Sequence, residues 1–266
     1  MDIERKMKVL ITGSDGFIAK NLSYHLSGLE NLELLEHNRS STINDLKSNL
    51  QQAKIIVHLA GVNRPTSDDE FKIDNTDLTT MICENLQHRS DSPLIIFSSS
   101  TQAEENNPYG KSKLNAEEAI KNYSQLTGNP AVIYRFPGIF GKWSKPNYNS
   151  VVSTFCNNIS RGLPIKIDEE KKVLNLVYID DVVSSITSLL DNSVEGIEYR
   201  SVSPIYKITL GDLATKLNKF REGRRELIVE KVGKGLDRAL YSTYLSYLEP
   251  NDFKYEIINH SDTRGS

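Results

Sequence analysis

Met7-Lys8-Val9-Leu10-Ile11-Thr12-Gly13-Ser14-Asp15-Gly16-Phe17-Ile18-Ala19 is the stretch that decides the fold. Met7 to Thr12 has the length and apolar character of a buried strand, and a helix pattern follows through Leu26. Between them Gly13 can take a tight turn, Gly16 lets a pyrophosphate approach the backbone, and small Ala19 allows the helix to pack closely on the strand. The helix N-terminus offers unpaired N–H groups to an anion. Gly13, Ser14, Asp15, Gly16, Phe17 and Ile18 are therefore the residues expected against a dinucleotide. An ordinary strand-to-helix turn has the same composition, but this one opens a series of alternating strand and helix patterns. That series predicts a doubly wound, mainly parallel α/β sheet.

Working outward, a second strand over Leu32 to Glu36 ends in Glu36-His37-Asn38-Arg39-Ser40-Ser41. An NAD-selective site places an acid near this point to bind the ribose hydroxyls. Basic and hydroxyl groups dominate here, so Arg39, helped by His37, is expected to hold a 2′-phosphate, favouring NADP over NAD. Glu36 keeps the NAD reading open. A third strand, Lys54 to Leu59, runs into small residues at Leu59, Ala60 and Gly61, which leave room for a cofactor at the C-terminal edge of a parallel sheet. His58 reads as a packed strand residue, and Arg64 as either an anion ligand or a surface charge.

A helical segment from Asp68 to Gln87 precedes a fourth strand, Pro93 to Phe97, which ends in Ser98-Ser99-Ser100. Asn107-Pro108-Tyr109-Gly110-Lys111-Ser112-Lys113 then reads as a helix start, with Asn107 as N-cap and Pro108 as first helical residue. Tyr109 and Lys113, four residues apart, share one helix face. The helix dipole and the lysine ammonium both favour the phenolate, which makes Tyr109 a candidate general acid. A serine hydroxyl emerging beside it would orient a carbonyl oxygen, unless local turn hydrogen bonds consume it.

With Thr12-Gly13-x-x-Gly16, Leu59-Ala60-Gly61, the serine run and Tyr109-x-x-x-Lys113 in that order, the chain resembles the extended short-chain dehydrogenase/reductase superfamily. The resemblance implies a Rossmann-like sheet over 1–140, to which some later segments return, and a smaller substrate-binding lobe over 141–250. It implies that Tyr109 protonates a carbonyl oxygen, that Lys113 binds the nicotinamide ribose, and that Ser100 polarises the carbonyl. A fifth strand, Ala131 to Arg135, leads to Phe136-Pro137-Gly138-Ile139-Phe140-Gly141, which looks like the segment that meets the nicotinamide, at Phe136. Gly138 stands where many members carry asparagine, and Ala19 replaces the commoner third glycine.

The cations, amides and aromatics of Lys142 to Ser150 suit a phosphorylated, hydroxyl-rich ligand; composition alone allows a polar loop around a buried tryptophan equally well. Together with Ala60 to Pro65 and Tyr241 to Leu248, they look like the bacterial capsular-polysaccharide UDP-hexos-4-ulose reductases on the route to UDP-N-acetyl-L-fucosamine. That resemblance implies NADPH-dependent reduction of a UDP-4-keto-6-deoxy-N-acetylhexosamine, with Arg64, Ser100, Lys142, Asn147, Tyr148, Asn149 and Arg238 at the substrate. It also implies a homodimer formed through the Tyr109 helix. Members of that family carry a C-terminal cupin domain, and residues 251–266 resemble a tail or the opening of one, as in a chain cut short or a split gene. An epimerase or dehydratase on the same fold, and a non-catalytic dinucleotide sensor, share the glycine turn and stay open.

A net charge of -3 supplies no basic field for a nucleic-acid backbone. The charged Met1 to Lys8 start and the lack of a long apolar run predict a cytoplasmic protein without a membrane partner. Cys83 and Cys156 lack metal-ligand spacing, so no metal site is expected. Asp180-Asp181 reads as an N-cap and first-turn charge for a helix over Val182 to Leu190. Further helices are expected near Leu210 to Phe220 and Leu236 to Leu248.

Overall fold

In the computed structural model, residues 6–229 and 231–254 are described; of the tail or domain opening expected at 251–266, residues 255–266 lie outside them. The apolar run Met7–Thr12 is strand β1, and it lies inside a six-stranded sheet. β2 (Leu32–His37) pairs with it on one side and β3 (Ile55–His58) on the other. β4 (Leu94–Ser100), β5 (Ala131–Phe136) and β8 (Ile197–Arg200) continue the sheet in the order β2-β1-β3-β4-β5-β8, every pair parallel. Successive connections depart in opposite directions from β1, so the order reverses between β1 and β3. A ligand crevice belongs at that reversal, outside the carboxyl ends of the strands.

Helix α1 (Phe17–Leu26) packs with α7 (Ile179–Thr187). On another side of the sheet, α2 (Ile43–Gln52), α4 (Leu78–Leu86) and α5 (Pro108–Thr127) form one core cluster with the strands. Leu46, Leu50, Ile82, Leu86, Ala116 and Ile120 meet Leu10, Ile56 and Phe97 there. Helix α2 begins at a capping box in which Thr42 and Asp45 satisfy each other's backbone N–H groups.

Several expected boundaries move, each for a tertiary reason. Ser98, Ser99 and Ser100 belong to β4, because β5 outlasts β3 and pairs them with Tyr134, Arg135 and Phe136. The helix expected over Asp68 to Gln87 is interrupted: α3 (Asp68–Phe71) passes into a π-helical stretch, Lys72–Asp77, before α4. Asn75, on that wider turn, is 1% exposed, and its amide is committed to the backbone of Val62. Helix α7 starts three residues earlier than read, with Tyr178 as its N-cap; Asp180 and Asp181 are first-turn charges, not caps.

The chain divides into two units, residues 1–139 with 176–205, and residues 140–175 with 206–266. In the second, α6 (Val151–Ser160), α8 (Leu210–Glu226) and α9 (Gly235–Leu245) pack on one another. Phe220 meets Tyr241 edge-on at 5.2 Å and Tyr244 at 6.2 Å. A three-stranded sheet runs β6 (Gly138–Phe140), β7 (Val173–Tyr178) and β9 (Tyr206–Thr209).

Candidate active site

The glycine turn sits at the β1–β3 reversal. Gly13 has φ +69°, and a Cβ there would lie 2.8 Å from both N and Cα of Ala60, so two strand ends approach at a distance only glycine permits. Its N–H and that of Ser14 donate to the His37 carbonyl at 2.8 and 3.2 Å, tying the turn to the end of β2. Gly16 is the N-cap of α1 and brings no side chain, and the first turn of the helix has no acid. The amide end of α1 is thus left open to an anion. Gly61 is the second such place: a Cβ would fall 2.6 Å from Asn75 Oδ1 and 3.2 Å from Lys113 Nζ.

Thr12, His58 and Thr79 form a closed chain beneath the turn. Thr79 Oγ1 donates to the Asn75 carbonyl at 2.6 Å, so His58 Nε2 donates to Thr79 at 2.9 Å and Nδ1 accepts from Thr12 at 2.7 Å. Thr12 Oγ1 accepts in turn from the Ala60 N–H at 3.2 Å. Burial, aided by repulsion from Lys113 and His37, lowers the imidazole pKa to about 3. His58 is a neutral spacer that holds the β3 end, not an acid or base.

Tyr109 and Lys113 occupy successive turns of α5, which starts as read: Asn107 Oδ1 accepts from the Gly110 N–H at 2.7 Å, and Pro108 follows the cap. The Tyr109 ring lies 5.8 Å from that of Phe71. Lys113 is 6% exposed; its Nζ donates to the Ser98 carbonyl at 2.9 Å and stands 4.9 Å above the Phe97 ring. Burial lowers its pKa to about 8, against the opposing pull of Glu117. Ser100 Oγ accepts from the Gln102 N–H at 3.2 Å at the start of a 3-10 turn, Thr101–Glu104, so its own proton is left to donate.

Three residues at this edge were not singled out in the sequence. Asn75 Nδ2 donates to Val62 O at 3.0 Å and Ser112 Oγ at 2.9 Å, while Oδ1 accepts from the Val62 N–H, joining the loop after β3 to α5. Gly110 allows α5 to rest on the 3-10 turn, since a Cβ would overlap the Gln102 carbonyl and come within 2.7 Å of Glu105 O. Glu117, 1% exposed, pairs with Arg135. Glu117 continues the four-residue spacing of Tyr109 and Lys113, the one sequence signal that could have found it.

The remaining expected residues fall in distinct places. Arg39, on the loop after β2, reaches Asp74 at 3.3 Å with 84% of its side chain exposed. His37 is half-buried, and desolvation lowers its pKa against an opposing pull from Asp45. Phe136 is buried and stacks on Tyr134 at 5.2 Å. Leu59 and Ala60 line the β3 end, and Arg64 is exposed beyond them. Lys142, Asn147, Tyr148, Asn149 and Arg238 belong to the second unit. There Lys142 Nζ lies 4.7 Å above the Trp143 ring, Lys145 Nζ 5.6 Å from Tyr148, and the Asn147 N–H donates to Thr154 Oγ1 at 2.9 Å. Trp143 is half exposed, which removes the buried-tryptophan reading of that loop.

The profile of the NAD dependent epimerase/dehydratase family matches residues 9–203. The chain belongs to that family. This epimerase/dehydratase family member is 44% identical over 260 residues to the UDP-2-acetamido-2,6-beta-L-arabino-hexul-4-ose reductase of Pseudomonas aeruginosa, spanning 98% of this chain and 70% of that protein. It is also similar to the crystal structure of the capsular polysaccharide assembling protein CapF from Staphylococcus aureus, with TM-score 0.87 and 38% identity over 98% of this chain and 70% of the other. The UDP-glucuronic acid 4-epimerase from Bacillus cereus in complex with NAD, at 18% identity, shares the fold at TM-score 0.75 over 91% of this chain and 98% of its own.

The site fits the nicotinamide dinucleotide that this fold implies. Glycines stand where Cβ atoms would fill the turn, and α1 opens on free amides. Among the described residues, three of the seven buried polar side-chain atoms without a hydrogen-bond partner, Ser14 Oγ, His37 Nδ1 and Asn63 Oδ1, lie at or just beyond the ends of β1, β2 and β3. Among the described residues no helix is long and apolar enough to cross a membrane.

Proposed function

We propose that the chain is an NADPH-dependent reductase of the 4-keto group of a UDP-4-keto-6-deoxy-N-acetylhexosamine, serving surface-polysaccharide precursor synthesis. The observation that carries this reading is the Ser100, Tyr109 and Lys113 set in a chain 44% identical to a UDP-hexulose reductase over nearly its whole length. Gly13 to Ile18, Leu59 to Gly61 and Phe136 would hold the dinucleotide, with Arg39 and His37 at the 2′-phosphate. When bound, NADPH supplies the hydride for the keto carbon. The chain's own residues handle the oxygen: the Ser100 hydroxyl donates to it, and the Tyr109 phenol delivers the proton that makes it an alcohol. Lys113 spends one of its three donors on Ser98 and has two left for ribose hydroxyls. Arg64, Lys142, Asn147, Tyr148, Asn149 and Arg238 are proposed substrate contacts.

An epimerase of the same family would return its cofactor unchanged after each cycle. The two readings separate in one assay: the protein is mixed with NADPH or NADH and a panel of UDP-4-keto sugars, and cofactor and products are quantified. Stoichiometric NADPH oxidation with an alcohol product is expected. Conversion of UDP-sugars with no net oxidation would replace the reductase reading with the epimerase one.

A further inference from the structure

A buried carboxylate behind the reacting groups is not used by the chemistry proposed above. Glu117 sits one turn beyond Lys113 and two beyond Tyr109 on α5. Arg135, on β5 just before Phe136, closes on it: Nε donates to Oε1 at 2.9 Å, and Nη2 donates to Oε2 at 2.6 Å. The Ser99 hydroxyl donates to Oε1, and the Tyr199 phenol on β8 reaches Oε2 at 3.5 Å. Arg135 Nη1 also donates to Glu104 Oε1 at 2.6 Å, on the 3-10 turn that follows Ser100. Desolvation offsets most of the attraction in a buried ion pair, so stability is a weak account of why this one exists. Its placement gives a better one. Lys113 grips the carbonyl of Ser98, Glu117 grips the hydroxyl of Ser99, and the next residue is Ser100.

We propose that Glu117 is a positioning residue: with Arg135 it clamps the end of β4 to α5 so that Ser100 and Tyr109 address one oxygen, and, one turn from Lys113 on the same helix, it is the anion that faces the ammonium. The first half rests on the reductase reading; the second does not. The ionisable groups around Lys113 are Glu117 on its own helix and His58 on β3, with Tyr109 one turn earlier on the same helix; Asn75, the Phe97 ring and the Ser98 carbonyl lie beside it. His58 is uncharged near neutrality, which leaves Glu117 as the anion acting on the ammonium. Those facing Glu117 are Arg135, Tyr199 and Lys113.

Two variants separate the halves. Glu117→Gln keeps the shape and removes the charge; Arg135 retains Glu104 and solvent access, so the fold is expected to survive, with melting temperature as the check. Glu117→Asp keeps the charge but shortens the reach to Ser99. Lys113 titration is followed by 13Cε NMR, assigned with Lys113→Met, beside NADPH affinity and turnover on a UDP-4-keto sugar. In Glu117→Gln the titration is expected to fall by about half a unit or more. In Glu117→Asp it stays in place while turnover drops about tenfold or more at unchanged NADPH affinity. An unmoved titration in Glu117→Gln overturns the electrostatic half, whether or not the wild type reduces anything. Wild-type turnover in both variants overturns the clamp and leaves the reductase reading standing. A wild type inert towards every UDP-4-keto sugar overturns the reductase reading and with it the clamp's catalytic role.

Discussion

The two ends of the sheet edge are built differently. At the β2 end, Arg39 is held by one 3.3 Å contact to Asp74 and is 84% exposed. At the β4 end, Lys113 is 6% exposed and Glu117 1%, each fixed to a neighbouring serine of the same strand end. An exposed pair contributes roughly 0–1 kcal/mol and is readily given up to a ligand phosphate. A buried charge must have its partners in place before anything binds. The contrast matches the two tasks proposed for them: selecting a cofactor tolerates an exposed cation, whereas delivering a proton needs an acid and a hydroxyl held to fractions of an ångström.

The largest break in this comparison is Gly110→Ala. The added methyl overlaps the Gln102 carbonyl, so α5 must lift from the 3-10 turn and carry Tyr109 away from Ser100. Turnover is expected to fall more than about a hundredfold, with a stability loss of about 1–3 kcal/mol in a denaturant melt.

Lys113→Met is next, and it separates stability from function. The lysine pKa is lowered to about 8 from 10.5, so below pH 8 both folded and unfolded chains carry the proton and the folded one bears the burial cost. That cost is relieved as pH rises from about 8 to 10.5, where the unfolded chain binds more protons. The methionine variant is therefore expected to be more stable at pH 7, on the order of 2 kcal/mol after loss of the Ser98 hydrogen bond, with the gap closing across that window. NADPH affinity and turnover are expected to fall together. Thermal melts at pH 7 and pH 10, beside a cofactor titration, check both signs.

The smallest effect belongs to the exposed end. Arg39 is largely exposed, so Arg39→Ala is expected to weaken NADPH by only about 1 kcal/mol and leave NADH unchanged, as read by fluorescence titration of both cofactors. Equal weakening of the two would place Arg39 away from the 2′-phosphate and remove the cofactor-selecting role from this end.

The strands were legible because a parallel sheet buried on both faces writes itself as short apolar runs, and Met7–Thr12 is a strand at the bounds read from it. The start of α5 was legible because Asn107 and Pro108 act locally. What the sequence concealed depends on residues distant in the chain. Nothing around Asn75 says that its amide will find Val62, so the π-helical stretch was invisible. Glu117 and Arg135 are 18 positions apart, and either alone reads as a surface charge. Gly110 looked like a spacer until the 3-10 turn lay against it.

The claim that the buried end delivers a proton is tested most directly by rapid mixing of enzyme and NADPH with a UDP-4-keto-6-deoxy-N-acetylhexosamine, following NADPH oxidation in a single turnover for wild type and Tyr109→Phe. The phenylalanine keeps the ring against Phe71 and removes only the acid. The expected result is a rate about 10²–10⁴-fold lower with an unchanged NADPH dissociation constant. A Tyr109→Phe enzyme as fast as wild type would contradict the account.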